Sequence, residues 1–120
     1  MPNIDSTQFG EIVINGKKYH QVLILDNEVK ERDTDKLKEL FDTSHVIGDW
    51  EILEILKGNP DIVIVGTGQN GAMEVNEDFS NEVQKKGIEL IIEKTPEAIK
   101  IYNERIKKRK RINALIHTTC

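Results

Sequence analysis

The sequence predicts an α/β fold, namely one three-layer domain over residues 1–120 with a mixed, mostly parallel central sheet, flanking helices and an N-terminal β-hairpin. The first observation behind this prediction is the run of four branched aliphatic residues from Ile62 to Val65, which is typical of a strand buried on both faces. The second is the alternation of such apolar runs with amphipathic helical segments, which indicates βαβ crossovers. At 120 residues the chain is long enough for one hydrophobic core.

The hairpin is predicted over residues 9–25. Its turn is the dipeptide Asn15-Gly16, which favours a two-residue type I′ turn, and its return strand runs from Tyr19 to Leu25. The next stretch, 26–36, is almost entirely polar and is predicted to be a connection.

Two helices follow in the first half of the chain. Apolar residues at helical spacing, beginning with Leu37, predict a short helix over 34–42. An amphipathic helix that contains Trp50 then starts after Gly48, and Pro60 follows its end because proline cannot continue a helix.

The second half begins with the buried strand 61–65 and the glycine-rich loop Gly66–Gly71. Thr95 is predicted to cap the last helix, with a proline at the first helical position. The remaining elements are predicted as a helix over 77–86, a buried strand over 88–92, a helix over 95–108 and a strand over 112–117.

Composition limits the function classes. The net charge of −4 argues against nucleic acid as the partner, since domains that bind it usually carry a basic excess. No apolar segment approaches the roughly 20 residues that span a bilayer, and no signal peptide is recognisable, so no membrane partner is expected. The single cysteine rules out an internal disulfide and is compatible with a cytoplasmic location. Richness in Ile, Glu and Lys resembles the composition of thermophilic proteins.

Four stretches of the sequence resemble the Mth938-like family of small single-domain proteins. They are Asp5–Tyr19, Ile64–Gly68, Thr95–Asn103 and Ala114–Cys120. The resemblance covers nearly the whole chain and keeps the motifs in order. It departs from the family pattern at residues 30–48, which are longer and more polar, and there His45 is the best match to the family's histidine.

The resemblance implies a three-layer α/β fold with a mixed central sheet. It implies no reaction, because no enzymatic activity is established for the family as a whole. Relatives such as the mitochondrial complex I assembly factor 3 and the adipogenesis-associated Mth938 domain-containing protein act through assembly or regulation.

The glycine-rich loop is the first candidate site, since Gly66–Gly71 matches G-x-G-x-x-G after a strand, with Glu93 about 20 residues further on. A dinucleotide site needs a helix to begin at the third glycine, yet residues 72–76 are predicted to be extended. A tight turn, or a nest of backbone amides for an anion or small ligand, is therefore the favoured interpretation.

Thr95 and Asn103 are added to this site because both match the family pattern. Asn103 lies in mid-helix, where asparagine has poor propensity, so a hydrogen bond to a loop or ligand is one interpretation. If the two preceding strands are parallel, the loops after them open at the same sheet edge. The predicted ligand-binding residues are Gly66, Thr67, Gly68, Thr95 and Asn103.

Other chemistry-bearing residues have simpler explanations. On a regular strand His117 and Cys120 would point to opposite faces, so no metal site is predicted. A catalytic Cys–His pair would need a third group that the sequence does not identify, so no catalytic residue is predicted. The basic run Lys107–Arg111 is better explained as a solvated helix end than as a phosphate or nucleic-acid patch.

The sequence therefore favours a non-enzymatic protein-interaction or assembly-type module that acts on an unidentified protein partner or forms a homo-oligomer, without a cofactor. The alternative is a small-ligand or nucleotide-binding protein, or an enzyme, that uses the Gly66–Gly71 loop.

Overall fold

The computed structural model describes residues 1–120 as eight strands and four helices. The strands are β1 (Ile4–Gln8), β2 (Glu11–Ile14), β3 (Lys17–Tyr19), β4 (Val22–Leu25), β5 (Glu28–Glu31), β6 (Ile62–Thr67), β7 (Glu89–Glu93) and β8 (Ile112–His117). The helices are α1 (Thr34–Phe41), α2 (Asp49–Ile55), α3 (Glu77–Lys85) and α4 (Thr95–Ile106). None of these helices combines the length and apolar character needed to cross a membrane.

The main sheet has five strands in the order β5-β4-β8-β6-β7. The pairings of β6 with β7 and with β8 are parallel, whereas those of β4 with β5 and with β8 are antiparallel. The predicted α/β class with a mixed sheet is thus confirmed. Two of the four pairings are parallel rather than most of them, because β4 and β5 join the βαβ core as an antiparallel pair.

Alternate residues of β6 face two separate cores, so this strand is buried on both sides as predicted. Ile62 and Ile64 belong to a core shared with α4 and the small sheet β1-β2-β3. Val63 and Val65 belong to a second core shared with α2 and α3. The central sheet is therefore the middle of three layers.

The N-terminal hairpin is present but shorter than predicted. Asn15 and Gly16 both have positive φ (49° and 80°), as a type I′ turn requires, and they join β2 to β3. The return strand does not continue to Leu25, because β3 ends at Tyr19 and β4 pairs instead with β5 and β8. The fully apolar β4 buries more surface at an interior position of the main sheet, between β5 and β8, than it would in a small three-stranded sheet.

Two further predictions were wrong at the edges of the main sheet. The stretch 26–36 was predicted to be a connection but contains β5, an edge strand whose mostly charged side chains resemble those of a loop. Asp26, with φ 58°, lies in the turn that joins β4 to β5. The strand predicted over 88–92 is present as β7, but it is not buried as predicted. It is the edge strand on the opposite side of the sheet from β5, and its Ile92 is 41% exposed.

Candidate functional site

The carboxyl ends of four strands meet at one edge of the main sheet, called here the carboxyl edge. β6, β7 and β8 are parallel, and β5 runs in the same direction because it is antiparallel to β4, which is antiparallel to β8. The loops after β6 and β7 therefore open on the same side. Open α/β sheets bind ligands at such an edge, so its residues are the candidate site.

Thr95 links three elements at the carboxyl edge. Its buried hydroxyl accepts a hydrogen bond from the Gly68 amide at 2.9 Å and donates one to the His117 carbonyl oxygen. The Thr95 amide in turn donates to the Gly68 carbonyl oxygen at 3.0 Å. The prediction that Thr95 caps α4 was wrong: Lys94 occupies the N-cap position, because the threonine hydroxyl is committed to the glycine loop and β8.

The amides of the glycine loop are bound by the chain itself. Gln69 donates to the Thr119 carbonyl oxygen at 2.8 Å, while Asn70 and Ala72 both donate to the Cys120 carbonyl oxygen, at 3.0 and 2.9 Å. This is the convergent amide arrangement of an anion nest, with a backbone oxygen as its occupant. An external ligand would have to displace the segment that follows β8.

The helix that a dinucleotide site requires begins too late in the chain. α3 starts at Glu77 rather than at Gly71, and the Asn76 side chain caps it by accepting from the Phe79 amide at 2.7 Å. Glu77 and Asp78 fill the first turn with negative charge, which would repel a pyrophosphate. The match to G-x-G-x-x-G is therefore not a dinucleotide site, because no helix begins at its third glycine.

Thr67 serves the fold at the carboxyl edge itself, whereas Asn103 does so away from it. The Thr67 hydroxyl donates to the Glu93 carbonyl oxygen at 3.2 Å and so fastens β6 to the end of β7. The Asn103 side chain accepts from the Ile4 amide at 3.0 Å and donates to the Ile4 carbonyl oxygen at 2.7 Å. This paired bond holds β1 on α4, about 12 Å along the helix from Thr95.

A buried ion pair next to the site was missed by sequence reasoning. The Arg32 guanidinium donates to both carboxylate oxygens of Glu51, at 2.8 and 2.9 Å, and both side chains are fully buried. Arg32 also donates to Gln21 Oε1 at 2.8 Å and to the Val46 carbonyl oxygen at 2.7 Å. The only sequence signal was Glu51 in the first turn of a helix, which is explained equally well by the helix dipole.

His117 extends this network to the glycine loop. Its Nδ1 lies 2.9 Å from Gln21 Oε1, which already accepts from Arg32, so Nδ1 carries the hydrogen. Its Nε2 is then an acceptor and receives the Thr119 hydroxyl at 3.0 Å. The chain of contacts from Glu51 to Thr119 thereby fixes the segment that fills the amide nest.

The order of hydroxyl, imidazole and amide resembles the geometry of a nucleophile, a base and an orienting group. Arg32 works against that chemistry, since its NH1 atom lies 3.5 Å from His117 Nδ1 and disfavours an imidazolium. Burial, then Arg32, then the neighbouring histidines lower the pKa of His117 from 6.5 to about 4. The arrangement is suited to holding Thr119 in place rather than to removing its proton.

No three metal-ligating side chains lie close enough to hold an ion.

The lowered pKa of His117 predicts a loss of stability in mild acid. The unfolded chain takes up this proton near pH 6.5, whereas the folded protein resists it down to about pH 4. The His117 contribution is therefore fully present above pH 6.5 and is lost as the pH falls through that interval. We expect the free energy of unfolding to fall by about 2 kcal/mol between pH 7 and pH 5, measured by urea denaturation.

The matched control is His117→Gln, whose amide carries no titratable proton. Its stability should change by about 2 kcal/mol less over the same interval than that of the wild type. An unchanged pH dependence in the variant would show that another group is responsible.

The whole chain, rather than one motif, matches known proteins. A family model described as "Protein of unknown function (DUF498/DUF598)" matches residues 4–117. The chain belongs to this family. The conserved hypothetical protein PH1505 from Pyrococcus horikoshii OT3 is 30% identical to this DUF498/DUF598 domain, with a TM-score of 0.84 over 98% of this chain and 99% of that chain.

Two further solved structures extend the comparison. The protein MT938 is 29% identical, with a TM-score of 0.81 and full coverage of both chains. A Bordetella pertussis protein described as a Mth938-like domain is 15% identical, with a TM-score of 0.63 over 97% of this chain and 85% of that chain, and so supports the fold alone. The predicted membership of the Mth938-like family is confirmed. These descriptions name no activity.

Proposed function

We propose that this DUF498/DUF598 domain is a non-enzymatic, cytoplasmic protein-interaction module of the assembly type. Its docking site is the surface formed by Leu40 and Phe41 of α1 with Trp50 and Leu53 of α2, called here the α1–α2 surface. The observation that carries the proposal is the exposure of its large apolar side chains, since Leu40 is 60% and Leu53 69% exposed.

Both helices carry apolar side chains that do not pack into the core. Leu37, Leu40 and Phe41 share one face of α1, yet only Leu37 reaches the core. On α2, Trp50 and Leu53 are one turn apart and lie outside the face that buries Glu51 and Ile55. The Lys36 ammonium sits 4.2 Å above the Trp50 ring and so connects α1 to α2.

The competing candidate, a small ligand or nucleotide at Gly66, Thr67 and Gly68 with Thr95 and Asn103, receives less support. The loop amides are occupied by residues 119–120, and Asn103 is committed to β1. The α1–α2 surface needs no rearrangement before it can be used.

Affinity capture from an extract of the source organism tests this proposal. We expect Leu53→Glu to reduce recovery of the specific partner by about tenfold or more, because a carboxylate in an apolar contact costs about 2 kcal/mol. Phe9→Glu is the matched control, since Phe9 is 62% exposed but lies between β1 and β2, and its recovery should equal that of the wild type.

A native mass spectrum distinguishes the two kinds of partner. An oligomer that dissociates in Leu53→Glu would identify the partner as a second copy of the chain. The proposal would be overturned if the protein is a monomer and Leu53→Glu captures the same proteins as the wild type.

A further inference from the structure

The α1–α2 surface is bordered by unpaired acidic side chains. Leu40 lines an open cleft together with Asp33, Asp35, Lys36 and Glu39. Further along, Asp42 and Asp49 are exposed at the end of α1 and the start of α2. None of these five carboxylates takes part in an ion pair within the chain.

The positive charges nearby do not cancel this acidity. Lys36 is held over the Trp50 ring, and Lys38 is the only other basic residue of α1. Five carboxylates without an ion pair, set against these two lysines, give the border a negative charge. Such a border repels nucleic acid and anionic lipid and attracts a cationic partner.

The backbone of the surface limits the shape of that partner. An extended peptide binds by adding to a sheet edge, where unpaired amides and carbonyls are available. The middle of a helix has no such groups, because its amides and carbonyls bond to one another. An amphipathic helix suits such a surface, because its backbone is already satisfied while it presents an apolar stripe.

From these observations, and resting on the proposed function, we infer that the occupant of the α1–α2 surface is a basic amphipathic helix of another protein. Its apolar stripe packs on Leu40, Trp50 and Leu53, and its flanking lysines or arginines face the carboxylates. A second copy of this chain does not supply it, because its basic segment Lys107–Arg111 follows α4, whose apolar face is buried in its own core.

Phage display tests the charge of the occupant without knowledge of its identity. The probe is a library of helices about 16 residues long, with a fixed leucine stripe at i, i+3, i+4 and i+7 and randomised flanking positions. The bait is the full-length protein, and a parallel selection uses Leu53→Glu. We expect the wild-type pool to be enriched in Lys and Arg at the flanks, and to bind Leu53→Glu about tenfold more weakly.

Charge-reversed baits sharpen the result. Asp35→Lys with Glu39→Lys should weaken the selected helices by about tenfold, and salt should weaken their binding to the wild type. Glu74→Lys with Glu82→Lys is the control, since it makes the same change in net charge at exposed positions outside the surface and should have no comparable effect.

The outcomes separate the inference from the proposed function. A pool that requires Leu53 but is neutral or acidic at its flanks would overturn the basic partner and leave the α1–α2 surface standing. A pool that ignores Leu53→Glu, or no enrichment at all, would overturn the inference, while capture from the extract decides the proposed function independently.

Discussion

Glu51→Leu is expected to lower the free energy of unfolding by about 3–5 kcal/mol, one of the two largest effects predicted for this chain. The substitution leaves the Arg32 guanidinium fully buried without its counter-charge. It also removes the carboxylate oxygen that accepts the Gly48 amide at 2.9 Å at the start of α2. Urea denaturation at neutral pH measures the change.

Two further variants identify the buried charge as the cause. Lys30→Met breaks the pair that Lys30 forms with Glu54 at 2.7 Å, but the Lys30 side chain is half exposed, so the loss should stay below about 1 kcal/mol. The double variant Arg32→Met with Glu51→Leu removes both buried charges. It should be more stable than the sum of the two single losses predicts. A loss below about 1 kcal/mol for Glu51→Leu itself would contradict this account.

The elements that sequence predicted well are those whose signals are local. The apolar run of β6, the proline at the start of α4 and the Asn15-Gly16 turn each carry their own stereochemical reason. β5 was missed because the charged residues that protect an edge strand from pairing with other chains also make its sequence resemble a loop. Its strand conformation depends on hydrogen bonds to β4 rather than on an apolar pattern of its own.

The candidate site was predicted only as far as its loops. The glycine loop and Thr95 do lie together at the carboxyl edge, because parallel strands bring their ends to one side. The roles of Thr95 and Gln21 depend on partners 22 and 96 residues away along the chain, which no local pattern specifies. The same is true of Arg32, which lies in a polar stretch that gives no sign of burial.

Gly68→Ala is the second substitution with a large expected effect. At Gly68 φ is 109°, a conformation that side chains rarely adopt, and an added Cβ would collide with the Cys120 carbonyl group and lie 2.8 Å from the Thr119 carbonyl oxygen. The segment that fills the amide nest would have to leave, together with the hydrogen bonds from Gln69, Asn70 and Ala72. We expect the free energy of unfolding to fall by about 3 kcal/mol or more, measured by urea denaturation.

Gly87→Ala separates backbone strain from collision. Gly87 also has a positive φ, 72°, but nothing lies within 4 Å of its added Cβ, so the loss there should be only about 1 kcal/mol. Hydrogen exchange should then show faster exchange of the Gln69, Asn70 and Ala72 amides in Gly68→Ala alone.

Equal losses of unfolding free energy in the two variants, with those amides still protected, would mean that residues 119–120 do not hold the glycine loop. The loop would then be free to bind a ligand, and the case for the α1–α2 surface as the main docking site would weaken.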